Sequence, residues 1–186
     1  MPLGGGHGTA AGFPPPHAPE FAAMQITSLL TPYSLPVPHE DHVAIVDALY
    51  RFGAGQDLED RALLESAFTA DATLDFTGPA RRFGVTLPVF EGRERIVEAI
   101  RHSTAALDTT HTVSNPRITA YDCERATLFA LVEAQHVQKL DATRHLLLKN
   151  IYAVSLVHEH AVQWRINRMV ISNVWYSGDA GVLFPR

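Results

Sequence analysis

The order of patterns along the chain predicts an α+β domain, with helices early and a sheet late. Apolar residues recur at helical spacing only before Ala105, whereas 109–118, 125–139, 145–158 and 162–176 alternate apolar and polar side chains. Long alternating stretches with short polar connections make an antiparallel meander, and helices ahead of strands are the α+β order. The 186 residues, 46% of them hydrophobic, suffice for one domain with a real core.

Residues 1–24 carry Gly4-Gly5-Gly6 and Pro14-Pro15-Pro16 without apolar periodicity, which predicts a flexible arm. Residues 25–38, broken by Pro32, Pro36 and Pro38, read as an extended lead-in to a domain spanning 39–177, with 178–186 as a tail. Val43, Val46, Leu49, Tyr50 and Gly53, widened by Ile45 and Phe52, predict a first helix from Pro38 to Ala54. Gly53 and Gly55 weaken its end. Asp60 fits the N-cap of a second helix carrying Leu63, Leu64, Ala67 and Phe68. A short strand is expected over 72–77, a loop over 78–88, and a third helix around Ile96, Val97 and Ile100.

The strands carry the chemistry. Around Thr109-Thr110-His111-Thr112-Val113, β-branched residues favour a strand, and period-2 alternation places His111 with Val113. Asn115-Pro116 marks a bulge or an edge. In 125–139 the even positions are Ala126, Leu128, Ala130, Val132, Ala134 and His136; in 145–158 they include Asn150 and Tyr152. Small alanines beside isolated polar groups suggest a pocket, because a filled core takes larger residues. Trp164 and Ile166 share one parity and Met169 and Ile171 the other, so a bulge is expected near Asn167-Arg168.

A net charge of −5 gives no electrostatic footprint for nucleic acid or an anionic membrane surface. Cys123 is the single cysteine, which excludes an intrachain disulfide framework and a cysteine-rich metal site. No apolar run reaches the length of a membrane span, and the N-terminus lacks the pattern of a secretion signal, so a cytoplasmic protein is expected. No phosphate loop, nucleophile elbow, dinucleotide fingerprint or metal-binding histidine spacing is present. His39, His42, His102, His145, His158 and His160 read as surface or turn residues, His158-Glu159-His160 as a hairpin turn.

A histidine on the apolar side of a strand needs a partner for its ring nitrogens, and alone it is more often a satisfied core residue than a functional one. Asp57 is the candidate partner for His111. The competing reading makes Asp57 a cap of the second helix, which is open as long as Asp60 is not shown to take that place. His136, Asn150 and Tyr152 on inward faces add three buried polar groups that each need a partner.

The run Ile45-Val46-Asp47-Ala48-Leu49-Tyr50 through Gly55-Gln56-Asp57-Leu58-Glu59-Asp60, with Leu64, Phe68, Asp71-Ala72 and Leu74-Asp75-Phe76, resembles the opening of SnoaL-like domains of the nuclear transport factor 2-like superfamily. Thr110-His111-Thr112-Val113-Ser114-Asn115 resembles their histidine strand, and Trp164-Arg165-Ile166 their last strand. The resemblance spans residues 39 to 176. It implies a cone-shaped barrel of curved, mostly antiparallel sheet around three N-terminal helices, with a pocket at the wide end. The pattern is most similar to the scytalone dehydratase and dehydrochlorinase branch, which implies an Asp–His pair working without metal or organic cofactor. On that resemblance Asp57, His111 and His136 are the expected catalytic residues, and Tyr50, Gln56, Phe76, Asn150 and Tyr152 the expected substrate contacts. Gln56 and Phe76 replace two tyrosines of the scytalone enzyme, which argues against scytalone itself as substrate. The implied activity is a dehydratase-type elimination on a small apolar cyclic or polyketide-like molecule. An isomerase or polyketide cyclase using the same proton abstraction, and a non-catalytic ligand-binding or assembly domain, stay open. A homo-oligomer, dimer or trimer, is also expected.

Overall fold

The computed structural model describes residues 35–159 and 163–184, so the predicted arm over 1–24 and most of the lead-in lie outside the described residues. Helix α1 (His39–Asp57) is followed by α2 (Arg61–Ser66), β1 (Phe68–Asp75), α3 (Thr77–Arg82), β2 (Phe90–Glu91) and α4 (Arg93–Thr104). The remaining chain is a meander of β3 (Leu107–Tyr121), β4 (Arg125–Gln138), β5 (Asp141–Glu159) and β6 (Gln163–Gly178), closed by a 3₁₀ turn at Ala180–Val182. The six strands form one curved, unclosed sheet in the order β2-β1-β6-β5-β4-β3. Every pairing is antiparallel except β1 with β6.

The α+β order therefore holds, with one helix more than expected among the described residues. Gly78-Pro79 suggests a loop, but both fall in the first turn of α3, where proline's missing N–H has no helical partner to lose. Phe68 also serves two patterns. It continues the spacing of Leu64, yet α2 ends at Ser66 and Phe68 opens β1 as a wholly buried strand residue.

Helix α1 buries Ile45, Ala48, Leu49 and Phe52 against the inner face of the sheet. Val43 and Tyr50, expected on that stripe, are exposed. Tyr50 precedes Phe52 by two residues, a rotation of about 200° around a helix. The helix is pinned at both ends of its buried face. Trp164 Nε1 donates to Asp41 Oδ1 at 2.9 Å, and Arg51 Nη2 donates to the Trp164 carbonyl at 2.7 Å. Ala126 and Ala130 belong to this main core and lie away from the cavity that Ala134 lines.

Gly53 and Gly55 do not end α1, which runs on to Asp57. They let it approach its neighbours. A Cβ on Gly53 would lie 3.0 Å from His111 Cβ, and one on Gly55 only 2.6 Å from the Leu64 backbone nitrogen. Two expected irregularities are present in the strands. β3 loses register between Ser114 and Arg117, where Asn115 has φ 51°. β6 skips Asn167 against β5, with Ser155 opposite Arg168 and Leu156 opposite Ile166. His158 and Glu159 lie in β5 rather than in a turn, and the connection at 160–162 is outside the described residues.

Candidate active site

Asp57 is the last residue of α1, where a carboxylate faces the negative end of the helix dipole at a cost of about 0.3–1 kcal/mol. Three donors from β3 offset it. His111 Nδ1 lies 2.6 Å from Asp57 Oδ1, the His111 backbone N–H donates to Oδ2 at 2.7 Å, and Thr109 Oγ1 donates to Oδ1 at 2.9 Å. The backbone bond is available because, among the described residues, β3 ends the sheet and its outward N–H groups have no neighbouring strand. Asp60, not Asp57, caps α2 by accepting from the Leu63 N–H at 3.0 Å.

The His111 side chain is 4% exposed and that of Asp57 20%. Burial pushes the Asp57 carboxyl up, but the ring, charge and backbone of His111, joined by Thr109, outweigh it and hold the acid below its ordinary value. An ionised Asp57 accepting at Nδ1 places the His111 ring proton there. Nε2 is left as the basic nitrogen.

His111 lines a cavity of about 400 Å³. Phe52, Leu74, Phe76, Leu148 and Ile171 form its apolar body, Val85, Leu87 and Phe90 one rim, and the last turn of α4 another. Among the described residues no Lys, Arg, Asp or Glu lines it. Strand register collects the polar groups: His111 opposes Ala134, His136 opposes Thr109 and Leu146, and Asn150 and Tyr152 follow on β5. Ala134, between His111 and Leu148, is the inward alanine of β4 that does widen the cavity.

His136 lies with its ring centroid 6.2 Å from that of His111. Its burial, with His111 beside it, lowers its pKa to about 4. It is therefore neutral at pH 7. Its Nδ1 faces the Leu146 carbonyl at 3.4 Å, a long contact that favours the proton on Nδ1 and leaves Nε2 an acceptor. Tyr152 is buried, and this pushes its phenol up, against the opposing hydrogen bond from Asn150; it stays protonated.

Gln56 and Phe76 also line the cavity, Gln56 with its Nε2 bonded to the Phe52 carbonyl at 3.0 Å. Tyr50 does not; it is 50% exposed on the outer side of α1. Six contributors, from three parts of the chain, were not foreseen. Thr109 shares the His111 parity and could have been found by that signal. His102 reads as a surface or turn residue, yet it lines the cavity with Ser103 and Thr104 at the end of α4. Leu183 and Phe184 looked like tail, yet Phe184 stacks on Phe83 at 4.9 Å and on Phe76 at 6.2 Å, closing the cavity from the C-terminal side.

The SnoaL-like domain profile matches residues 38–170. The terrestric acid biosynthesis cluster protein E of Penicillium crustosum is 30% identical over 156 residues, covering 81% of this chain and 94% of that protein. A scytalone dehydratase candidate from Novosphingobium aromaticivorans superposes with a TM-score of 0.64 at 16% identity, over 75% of this chain and 88% of that one. The hexachlorocyclohexane dehydrochlorinase LinA-type3 of Novosphingobium barchaimii gives 0.63 at 16% identity, over 76% and 92%. At those identities the solved structures speak for the fold, and the sequence matches for the family. With the profile spanning most of the chain over this helix-then-meander fold, the protein belongs to the SnoaL-like domain family of the nuclear transport factor 2-like superfamily.

Proposed function

We propose that this chain is a cofactor-independent lyase, carrying out a dehydratase-type elimination on a small, uncharged, apolar cyclic or polyketide-like molecule. The observation that carries the reading is the 2.6 Å Asp57–His111 contact on the wall of an apolar cavity. His111 Nε2 removes a proton next to an electron-withdrawing group, and the Asp57 carboxylate stabilises the imidazolium that forms. That proton then goes to the leaving oxygen, so a C–H and a C–O bond break, a C=C bond forms and water departs. His136 assists as a neutral acceptor for a substrate hydroxyl, since a ring with a pKa of about 4 is no cationic acid at pH 7. The lack of Lys, Arg, Asp or Glu among the described lining residues supports an uncharged substrate, and likeness to a biosynthesis cluster protein supports a small metabolite.

The test is turnover of a panel of cyclic β-hydroxyketones by the wild type, His111→Ala and Asp57→Asn. A product lighter by one water is expected, with turnover reduced about 10²–10⁴-fold in either variant. Wild-type turnover persisting in both sinks the dyad. An isobaric product moves the reading to an isomerase or cyclase, and binding without conversion to a ligand-binding domain.

A further inference from the structure

Behind the polar wall of the cavity, and outside its lining, sits Asn173. Its Nδ2 donates to Asn150 Oδ1 at 2.9 Å, to the Trp175 carbonyl at 3.0 Å and, less closely, to the Lys149 carbonyl at 3.3 Å. Two of these acceptors are backbone oxygens, which cannot exchange donor for acceptor by rotating. They fix which end of the Asn173 amide faces inward, even though its own buried Oδ1 has no partner among the described residues. The reverse orientation would set that oxygen against three others. Asn150 is fixed in turn: its Oδ1 is occupied by Asn173, so its own NH₂ is the end left toward Tyr152, beside which it lines the cavity. With a donor end turned toward it, the Tyr152 hydroxyl keeps its own proton for the cavity.

A break in the sheet supports the arrangement. Lys149 opposes Trp175 but Asn150 opposes Asn173, so Val174 is an extra residue in β6. Arg82 holds this bulge from α3, donating from Nη1 to the Val174 carbonyl at 2.8 Å and the Asn173 carbonyl at 3.2 Å. Bulges of this kind re-aim a side chain beside a site.

We propose that Asn173 is a positioning residue that makes the Asn150–Tyr152 wall a hydrogen-bond donor, so that the site selects molecules presenting a carbonyl oxygen there. The inference rests on the lyase reading for its use: the carbonyl held by Tyr152 is the electron-withdrawing group that acidifies the C–H bond attacked by His111. Oxygen charge developing on proton removal meets a donor already in place. Substrates of this class are cyclic ketones or enones rather than simple alcohols or halides.

The experiment compares two planar, uncharged bicyclic probes, 1-indanone as a hydrogen-bond acceptor and indole as a donor. Titration by NMR should show the wild type binding indanone about tenfold or more tighter than indole. Infrared spectra should show the bound carbonyl stretch lowered from its value in an apolar solvent. Asn173→Asp, nearly isosteric, offers Asn150 an acceptor instead of a donor and turns its amide round; the preference and the carbonyl shift should both be lost. Asn173→Ala should shrink the preference to within about threefold. A purely structural Asn173 would weaken both probes alike and leave the carbonyl frequency of bound indanone unchanged. Equal affinity for the two probes in the wild type, a preference for indole, or an unchanged ratio in a folded Asn173→Asp protein overturns the inference. None of these readings needs turnover. His111→Ala should keep the carbonyl shift, so failure of the dyad and failure of the donor wall are separate results.

Discussion

At the scale of single residues, the site is a set of hydrogen-bond decisions made by neighbours. Asp57 accepts from Thr109 as well as from His111, so Thr109→Val should raise the Asp57 pKa and lower turnover on a converted substrate, with less effect than Asp57→Asn; carboxyl ¹³C NMR checks the first and initial rates the second. His136 gives a stability prediction with a definite sign. An unfolded histidine takes its proton near 6.5, the folded one only near 4. Between those values the unfolded chain binds more protons, so stability falls as pH drops through that window. The full shift amounts to about 3 kcal/mol. Urea midpoints measured from pH 7 to 4 should fall in the wild type and fall less in His136→Gln; parallel curves would contradict the assignment. Much at this scale was legible in the chain. His111 on an inward face and Asp60 as a fitting cap depend on alternation and capping, which involve only nearby residues, while Asp57 stayed divided between cap and partner. The role of Asn173 was not legible, because a bulge at Val174 and the carbonyls of two different strands produce it.

At the scale of elements, the last turn of α1 is the part that must be placed accurately, and glycines place it. Gly55→Ala would set a Cβ 2.6 Å from the backbone of Leu64, where nothing flexible can yield. A loss of about 1–3 kcal/mol in chemical denaturation is expected. Gly53→Ala meets the His111 Cβ at 3.0 Å, a contact relieved by a small shift of the strand. It should therefore cost less stability and more turnover than Gly55→Ala, because the shift falls on the Asp57–His111 pair. The reverse ranking would show that α1 does not position the dyad. Local spacing shows these glycines only as weak points in a helix. Their purpose belongs to the packing of α1 on α2 and β3, which no window of the chain contains.

At the scale of the whole molecule, the cavity is closed by parts that lie far apart in the chain. Gly178, at φ 102°, turns the strand end where a Cβ would lie 2.2 Å from the His145 carbonyl. Asp179 then pairs with Arg144 and caps the 3₁₀ turn through the Gly181 N–H, and the chain delivers Phe184 onto Phe76 and Phe83. Phe184→Ala should raise KM for an apolar substrate while leaving kcat within a few-fold, since it removes contact area equally from bound substrate and transition state. An unchanged KM would place the substrate away from this wall. Among the described residues no helix is long and apolar enough to cross a membrane. What the amino-acid sequence determined by itself was the α+β order, the inward parity of His111, His136, Asn150 and Tyr152, and the caps and bulges that interrupt it, because each follows from a period or a turn chemistry acting over a few residues. The tertiary structure alone decided that Asp57 reaches His111, that Tyr50 faces outward, that Arg82 and Asn173 stand behind the polar wall, and that the C-terminal segment closes the cavity. Those outcomes rest on register and close approach between distant segments, where a difference of one residue or one Cβ changes which atoms meet.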